Sequence, residues 1–320
     1  GKTEIAQSPY HLATANEIDW SAAVDLQAAA QKWVCHAISN TTNLPADIDG
    51  SDNEEEVEEK KQKSKRFATP ETLEEHLAVC TSCSIRINSL NPLTHSNTGT
   101  MNERPLVLLR LLRYFATRKE RTIIFAASLD KAHRLTRLLQ VFSRVEKSAA
   151  FDALEISRQM PQKERTETLR RFETGACSVI VCTDSLARGV DLESITNVVN
   201  YDVPVYAKTY IHRAGRAARA GRRGCCYTLL RSDQVRHFKN MLRRIDNSFV
   251  KTYKYTSDDL KVDLNAYVKS LDLLKQVIGI DSNGDYVSMD HARSKIQSIV
   301  SEWMNKEKSK RELRKKLGLE

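Results

Sequence analysis

The 320-residue chain contains no apolar run approaching the ~20 residues that a membrane-spanning helix requires. Its first residues lack a basic stretch leading into an apolar one, so no secretory signal peptide is expected. Seven cysteines, at positions 35, 80, 83, 177, 182, 225 and 226, are odd in number and follow no disulfide framework. Cys177 and Cys182 border or lie within apolar, strand-like sequence, as free thiols of a reducing compartment do. Cys80 and Cys83 form a C-x-x-C pair, but no second pair accompanies it, which argues against a zinc site. Internal repeats are absent. The segment Asp281 to Asp285 opens like a calcium loop, yet Tyr286 replaces the required Gly and Ala292 the required Glu, so it reads as a polar turn.

What is present is a chain long enough for about two domains at roughly 150 residues each. Hydrophobic residues make up 41%, enough for a real core. The net charge of +9 is unevenly placed. Up to Arg66 there are 12 acids and 7 bases; beyond it, 29 acids and 43 bases. A basic body carrying an acidic segment points to a polyanionic partner, with surplus surface lysine as the plainer alternative.

Along the chain, Ser21 to Ile38 has apolar residues on one helical face. The segment Asp47 to Arg66 is acidic and then basic, with almost nothing to bury, and reads as a disordered linker or surface insertion. From about Phe67 the sequence becomes foldable. Leu73 to Ile87 has strand-like spacing, and Pro105 opens a helix through Tyr114. Short apolar strands are expected at Thr122–Ala126, Phe151–Ile156, Ser178–Cys182, Asn197–Asn200 and Cys225–Leu230. Helices are expected at Asp130–Phe142, Pro161–Phe172 and Asp233–Ile245. This alternation predicts an α/β fold, a parallel sheet covered by helices on both faces, with active residues at the carboxyl ends of the strands. After Asn247 the pattern turns helical, at Leu260–Ile278 and Ala292–Met304. Glu307 to Leu319 then forms a basic run that suits ribosomal RNA, a nuclear localisation patch or a solvated helix face.

Two stretches carry chemistry. Thr183 to Asp191 follows an apolar strand and combines a hydroxyl, Gly189 and two carboxylates, a set able to hold phosphate and sugar hydroxyls; a capped strand–turn–helix connection is the alternative. His212 to Gly221 contains Arg213, Arg216 and Arg219 every three residues, so a helix would stack them along one side. Three guanidiniums so close repel unless an anion lies between them, and a triphosphate in transfer is such an anion. A solvated basic face would normally carry Glu partners, and this run has Gly and Ala instead.

In order and spacing these segments resemble the C-terminal, second RecA-like lobe of DEAD-box ATP-dependent RNA helicases. Ile123–Ser128 resembles motif IV, Gln162-Lys-Glu-Arg165 the Q-x-x-R motif, Thr183–Asp191 motif V, Asn200–Pro204 the short motif after it, and Tyr210–Gly221 motif VI. Within the family, Tyr201–Arg213 and Leu138–Phe142 are most similar to the branch acting in large ribosomal subunit assembly. The resemblance implies that Arg216 and Arg219 are arginine fingers toward the γ-phosphate of ATP, with His212 coupling the nucleotide to a partner lobe. It implies ATP contacts from Asp191, Gly189, Arg188 and Arg213: Asp191 on the ribose, and Arg188 pairing with an acid of the first lobe on closure. It implies RNA contacts from Thr183, Arg165, Gln162 and Ser128, and a place for Phe125 under the motif VI arginines, although core packing explains Phe125 as well. The implied cofactors are ATP and Mg²⁺, the ion held mainly by a first lobe. The implied partners are pre-ribosomal RNA and ribosome assembly proteins, with no membrane and a nuclear, nucleolar setting.

The sequence departs from the family in places. Ala217 stands where Thr is usual, and the His-Gly pair before the Q-x-x-R motif is missing. There is no Asp-Glu-Ala-Asp box, no Ser-Ala-Thr motif and no full P-loop; Gly1-Lys2-Thr3 has the letters of a P-loop tail but feeds no apolar helix. This chain alone is therefore expected not to hydrolyse ATP, and a catalytically inert scaffold binding pre-ribosomes is the alternative function. The expected organisation is a divergent N-terminal segment and linker (1–66), a helicase C-terminal domain (67–250) and a basic helical extension (251–320).

Overall fold

The computed structural model describes residues 69–70, 72–85, 99–187, 194–219, 221–245, 247, 250–281 and 288–316. The expected helix at 21–38, the charged segment 47–66, residues 1–3, the 282–285 part of the polar turn, and three of the nominated site residues, Arg188, Gly189 and Asp191, lie outside the described residues.

Seven parallel strands form the centre: β1 (Leu73–Cys80), β4 (Thr122–Phe125), β5 (Ala153–Glu155), β6 (Val179–Cys182), β7 (Asn197–Asn200), β8 (Gly224–Arg231) and β9 (Lys251–Thr252). Their order across the sheet is β5-β6-β4-β7-β8-β1-β9. Between β1 and β4 a separate antiparallel pair, β2 (Ser82–Ile85) and β3 (Gly99–Asn102), is added. The single strand-like stretch at 73–87 is thus two strands in different sheets. The partner β3 was not visible in the sequence, because a four-residue polar strand carries no apolar alternation.

The central strands are apolar at nearly every position because both faces are covered. Alternate residues point to opposite sides. Ile124, Val181, Val199 and Leu229 enter one core with α1 (Arg104–Thr117) and α2 (Leu129–Val145). Phe125, Ile180, Val198 and Cys226 enter the other, with Phe172 of α3 (Gln162–Glu173), Tyr210 of α5 (Ala207–Ala214) and Phe238 of α6 (Val235–Arg243). The four-residue α4 (Asp184–Ala187) follows β6. This is the expected RecA-like α/β layering.

Two long helices complete the structure, α7 (Ser257–Asp281) and α8 (Met289–Lys316). The two stretches read separately as Ala292–Met304 and the basic run join into this one 28-residue helix, as far as Lys316. Leu273 and Val277 of α7 meet Ile296 and Val300 of α8 around Val141 of α2. Arg113 of α1 donates to Asp263 of α7 at 2.5 Å. The helical extension is therefore packed onto the sheet's helical layer. No helix among the described residues is long and apolar enough to cross a membrane.

Candidate functional site

The neighbouring strands β5, β6, β4 and β7 end side by side, so the segments that follow them share one edge of the sheet, where parallel α/β folds bind ligands. Ser128 follows β4, Thr183 follows β6, Asp202 follows β7, and the 157–161 loop follows β5.

Arg213 ties three of these segments together. Its guanidinium is 2% exposed. It donates through Nε and NH2 to both carboxylate oxygens of Asp184, at 2.5 and 2.8 Å. Its NH1 donates to Asn200 Oδ1 at 3.1 Å and to the Asp202 carbonyl at 2.8 Å. The guanidinium carbon lies 5.0 Å from the centroid of the fully buried Phe125 ring. Phe125 is thus both core and cation–π partner. The fork geometry matters, because a bidentate carboxylate leaves the remaining nitrogen free for two further acceptors. Asn200 in turn donates to Thr228 of β8 at 3.1 Å, so the buried amide is satisfied at both ends. Arg213 was expected to touch nucleotide. In the structure it lies in the interior with four of its five N–H groups engaged, and it fixes the segment after β6 and the end of β7 to α5.

The expectation of one arginine-stacking helix is also corrected. The helix α5 ends at Ala214, and the chain tightens into 3-10-type turns: Arg216 N–H donates to the Arg213 carbonyl and Ala217 N–H to that of Ala214, both at 3.0 Å. Arg213 points inward, while Arg216 and Arg219 are half-buried on the turn and His212 is exposed. Arg216 Nε donates to the His212 carbonyl at 3.3 Å.

Two contacts that the sequence reading missed hold this turn in place. A Cβ built on Gly224, at the start of β8, would come within 2.3 Å of the Ala217 carbonyl oxygen, so only glycine allows β8 to approach the turn this closely. The Tyr210 hydroxyl, on the inward side of α5, donates to Glu75 of β1, a carboxylate that is 6% exposed. Asn247 and Thr69 donate to the same carboxylate, at 2.6 and 3.2 Å. Burial, then the neighbouring Cys226 and Glu75, holds the Tyr210 hydroxyl far above its usual range, so it stays protonated and donating. The Tyr210 ring packs edge-on against Phe238, 5.4 Å between centroids. A polar residue at the end of an apolar strand, such as Asn200, signals a paired group; Glu75 lies 135 residues from Tyr210 and gives no local signal.

The other nominated residues lie along the same edge. Ser128 caps α2, accepting from the Lys131 N–H at 3.3 Å. Asp202 accepts from the Ala127 N–H at 2.9 Å and pairs with Arg104 at 3.2 Å and Lys131 at 3.4 Å, joining the loop after β4 to the end of β7. The Thr183 hydroxyl is 2.9 Å from that of Ser185. Arg165 donates to the carbonyls of Ser157 and Met160 at 3.3 and 3.4 Å and to Gln162 Oε1 at 3.3 Å, pinning the loop before α3. Burial raises the Cys182 thiol to about 12, so it stays neutral beside Arg213.

Comparison with known proteins finds helicases. The family "Helicase conserved C-terminal domain" matches residues 103–221. The chain is 32% identical over 228 residues to DEAD-box ATP-dependent RNA helicase 1 of Oryza sativa subsp. japonica, covering 71% of this chain and 39% of that protein. It is 32% identical over 219 residues to ATP-dependent RNA helicase dbp6 of Aspergillus niger, covering 67% and 33%. To the human ATP-dependent RNA helicase DDX51 it is 34% identical over 187 residues, covering 58% and 27%. The chain thus spans well under half the length of these relatives. Among solved structures, Mss116p DEAD-box helicase domain 2 bound to an RNA duplex aligns with a TM-score of 0.46 at 20% identity, covering 70% of this chain and 79% of that one. Residues 103–221 thus match a helicase conserved C-terminal domain, and the chain is similar to DEAD-box ATP-dependent RNA helicases.

Proposed function

We propose that this chain is the arginine-finger lobe of an ATP-dependent RNA helicase that remodels RNA or ribonucleoprotein. The observation that carries the reading is the division of labour among the three arginines. Arg213 is spent inside the lobe, where it fixes the segment after β6 and the end of β7 to α5, while Arg216 and Arg219 stay half-buried on the turn that follows α5.

That turn suits a nucleotide, because charge developing on a transferred phosphoryl group is what guanidinium donors stabilise. Arg216 and Arg219 would hold the phosphates and His212 would meet the partner lobe. Arg213 acts as their positioning residue in place of a nucleotide contact. Asp191 is assigned to the ribose, with Gly189 and Arg188 beside it, and Mg²⁺ to acids of a first lobe. ATP, when bound, supplies the phosphoryl transfer that drives opening and closing of the cleft. At the carboxyl edge of the sheet, Ser128, Thr183 and the Arg165–Gln162 loop are assigned to RNA phosphates, which makes binding sequence-independent and salt-sensitive. Likeness to the large-subunit branch supports pre-ribosomal RNA as the substrate, assembly proteins as partners and the nucleolus as the place.

The test is Arg219→Ala in the full-length enzyme. RNA-stimulated ATP turnover falls by roughly 10³-fold or more, as for other arginine fingers, while RNA binding and melting temperature stay near wild type. Undiminished turnover removes the assignment.

A further inference from the structure

We infer that the end of α8, residues 305–316, is a second RNA-binding element, a projecting basic helix that grips the phosphate backbone about 24–40 Å along the helix from Met289 in its anchored first turn, taking 1.5 Å per residue. It rests on the proposed reading that this lobe contacts RNA.

The first half of α8 is firmly seated. The Met289 N–H donates to Glu164 of α3 at 3.2 Å, Arg293 pairs with Asp152, and Arg144 of α2 donates to Gln297 at 3.3 Å. Met289, Ala292, Ile296 and Val300 are buried at helical spacing, with Trp303 and Met304 partly buried behind them. The next positions on this stripe are 307, 310/311 and 314, and they hold Glu307, Lys310, Arg311 and Arg314. The apolar stripe therefore stops while the helix continues. Residues 308–316 are all exposed, and Leu313 is the single apolar residue from 305 to 316.

This segment has seven Lys or Arg and two Glu within roughly three turns. Lys306 and Lys310 pair along the helix, with Glu302 and Glu307. Lys308, Arg311 and Lys315 share one face at i, i+3 and i+7, where like charges repel. Packing of the first half nucleates the helix, so the charged turns are held in a regular array that an isolated segment of this length would not keep. A regular, closely spaced array of cations matches a polyphosphate backbone. A membrane surface would need an apolar face beside the cations, and Leu313 alone does not make one. The basic body identified from composition thus has a specific outpost, and the anchoring of α8 on α3 ties it to the helix that starts with Gln162 and Arg165.

The experiment combines Lys308→Gln, Arg311→Gln, Arg314→Gln and Lys315→Gln in the full 320-residue chain. Binding of two fluorescent RNAs is measured by anisotropy across a salt series: a duplex long enough to run the length of α8, and a short single strand that fits only the sheet edge. The variant is expected to bind the duplex at least tenfold more weakly at low salt, with the slope of log K against log salt flatter by about 3, near 0.9 for each lost phosphate contact. Binding of the short strand stays unchanged. Equal duplex affinity and slope in both proteins overturns the inference and leaves the sheet-edge reading standing. Loss of short-strand binding in Arg165→Ala, with duplex binding retained through α8, supports the two sites as separate. Sedimentation with anionic phosphatidylserine vesicles, lost in the variant while RNA binding is untouched, replaces RNA with a membrane. Arg311→Glu alone, at an exposed position, gives a second reading in the same direction.

Discussion

Replacing Arg213 by Ala tests the claim that the three motif arginines do different work. The mutation strips Asn200 Oδ1 and the Asp202 carbonyl of a donor, and each buried acceptor left unpaired costs about 1–3 kcal/mol. It also removes a desolvated cation–π contact with Phe125, worth about 2 kcal/mol. The Asp184 pair adds little on its own account, because that carboxylate is 39% exposed and water can take over its oxygens. The total, after allowing for relaxation, is about 3–5 kcal/mol. At ~2–4 °C per kcal/mol for a domain of this size, the melting temperature drops by roughly 6–20 °C. Urea denaturation should show the midpoint shift with an unchanged slope, which separates lost stability from a changed denatured state. Arg213→Lys should recover only part of the loss, since an ammonium cannot reproduce the fork. Arg216→Ala, at a half-buried position on the turn, should cost within about 0.5 kcal/mol. An Arg213→Ala protein within about 1 kcal/mol of wild type, or an Arg216→Ala protein equally damaged, refutes the interior role.

The other contacts around the turn make their own predictions. Gly224→Ala drives a Cβ into the Ala217 carbonyl, so the turn must shift; stability should fall by about 1–3 kcal/mol and ATP turnover of the full-length enzyme should fall with it. Wild-type turnover and melting in that variant would show that the close approach is unimportant. Tyr210→Phe keeps the ring on Phe238 but removes one donor from Glu75, for about 1 kcal/mol, whereas Glu75→Ala removes the acceptor that Tyr210, Asn247 and Thr69 share and should cost clearly more in a melting experiment. A neutral Glu75→Ala would mean that water satisfies those donors and that β1 does not brace α5.

Much of the fold was legible in the chain. Ile123, Ile124, Val179, Ile180, Val181, Val198 and Val199 lie in short apolar runs that could only be strands buried on both faces, and Pro105 and Pro161 mark the starts of α1 and α3. Proline and apolar runs act locally, so their message survives without knowledge of partners. β3 and β9 were not legible, because Gly99–Asn102 and Lys251–Thr252 hold no apolar run and are fixed by the strand beside them. Nor was the continuity of α8, since the apolar stripe that signals a helix ends before the helix does.

The candidate site divides the same way. Resemblance to the family's motifs led to the expectation that the arginines of Arg213–Arg219 meet a nucleotide, because the family's order of segments is a property of the sequence. It could not say which arginine faces inward. That depends on the helix ending at Ala214, on Gly224 admitting the turn against β8, and on Asp184, Asn200 and Asp202 converging from separate strands on one guanidinium. Local composition determined the strands, the helix starts and the chemistry on offer. The tertiary structure decided which charges are buried and paired, because burial is set by contacts between segments far apart in the chain.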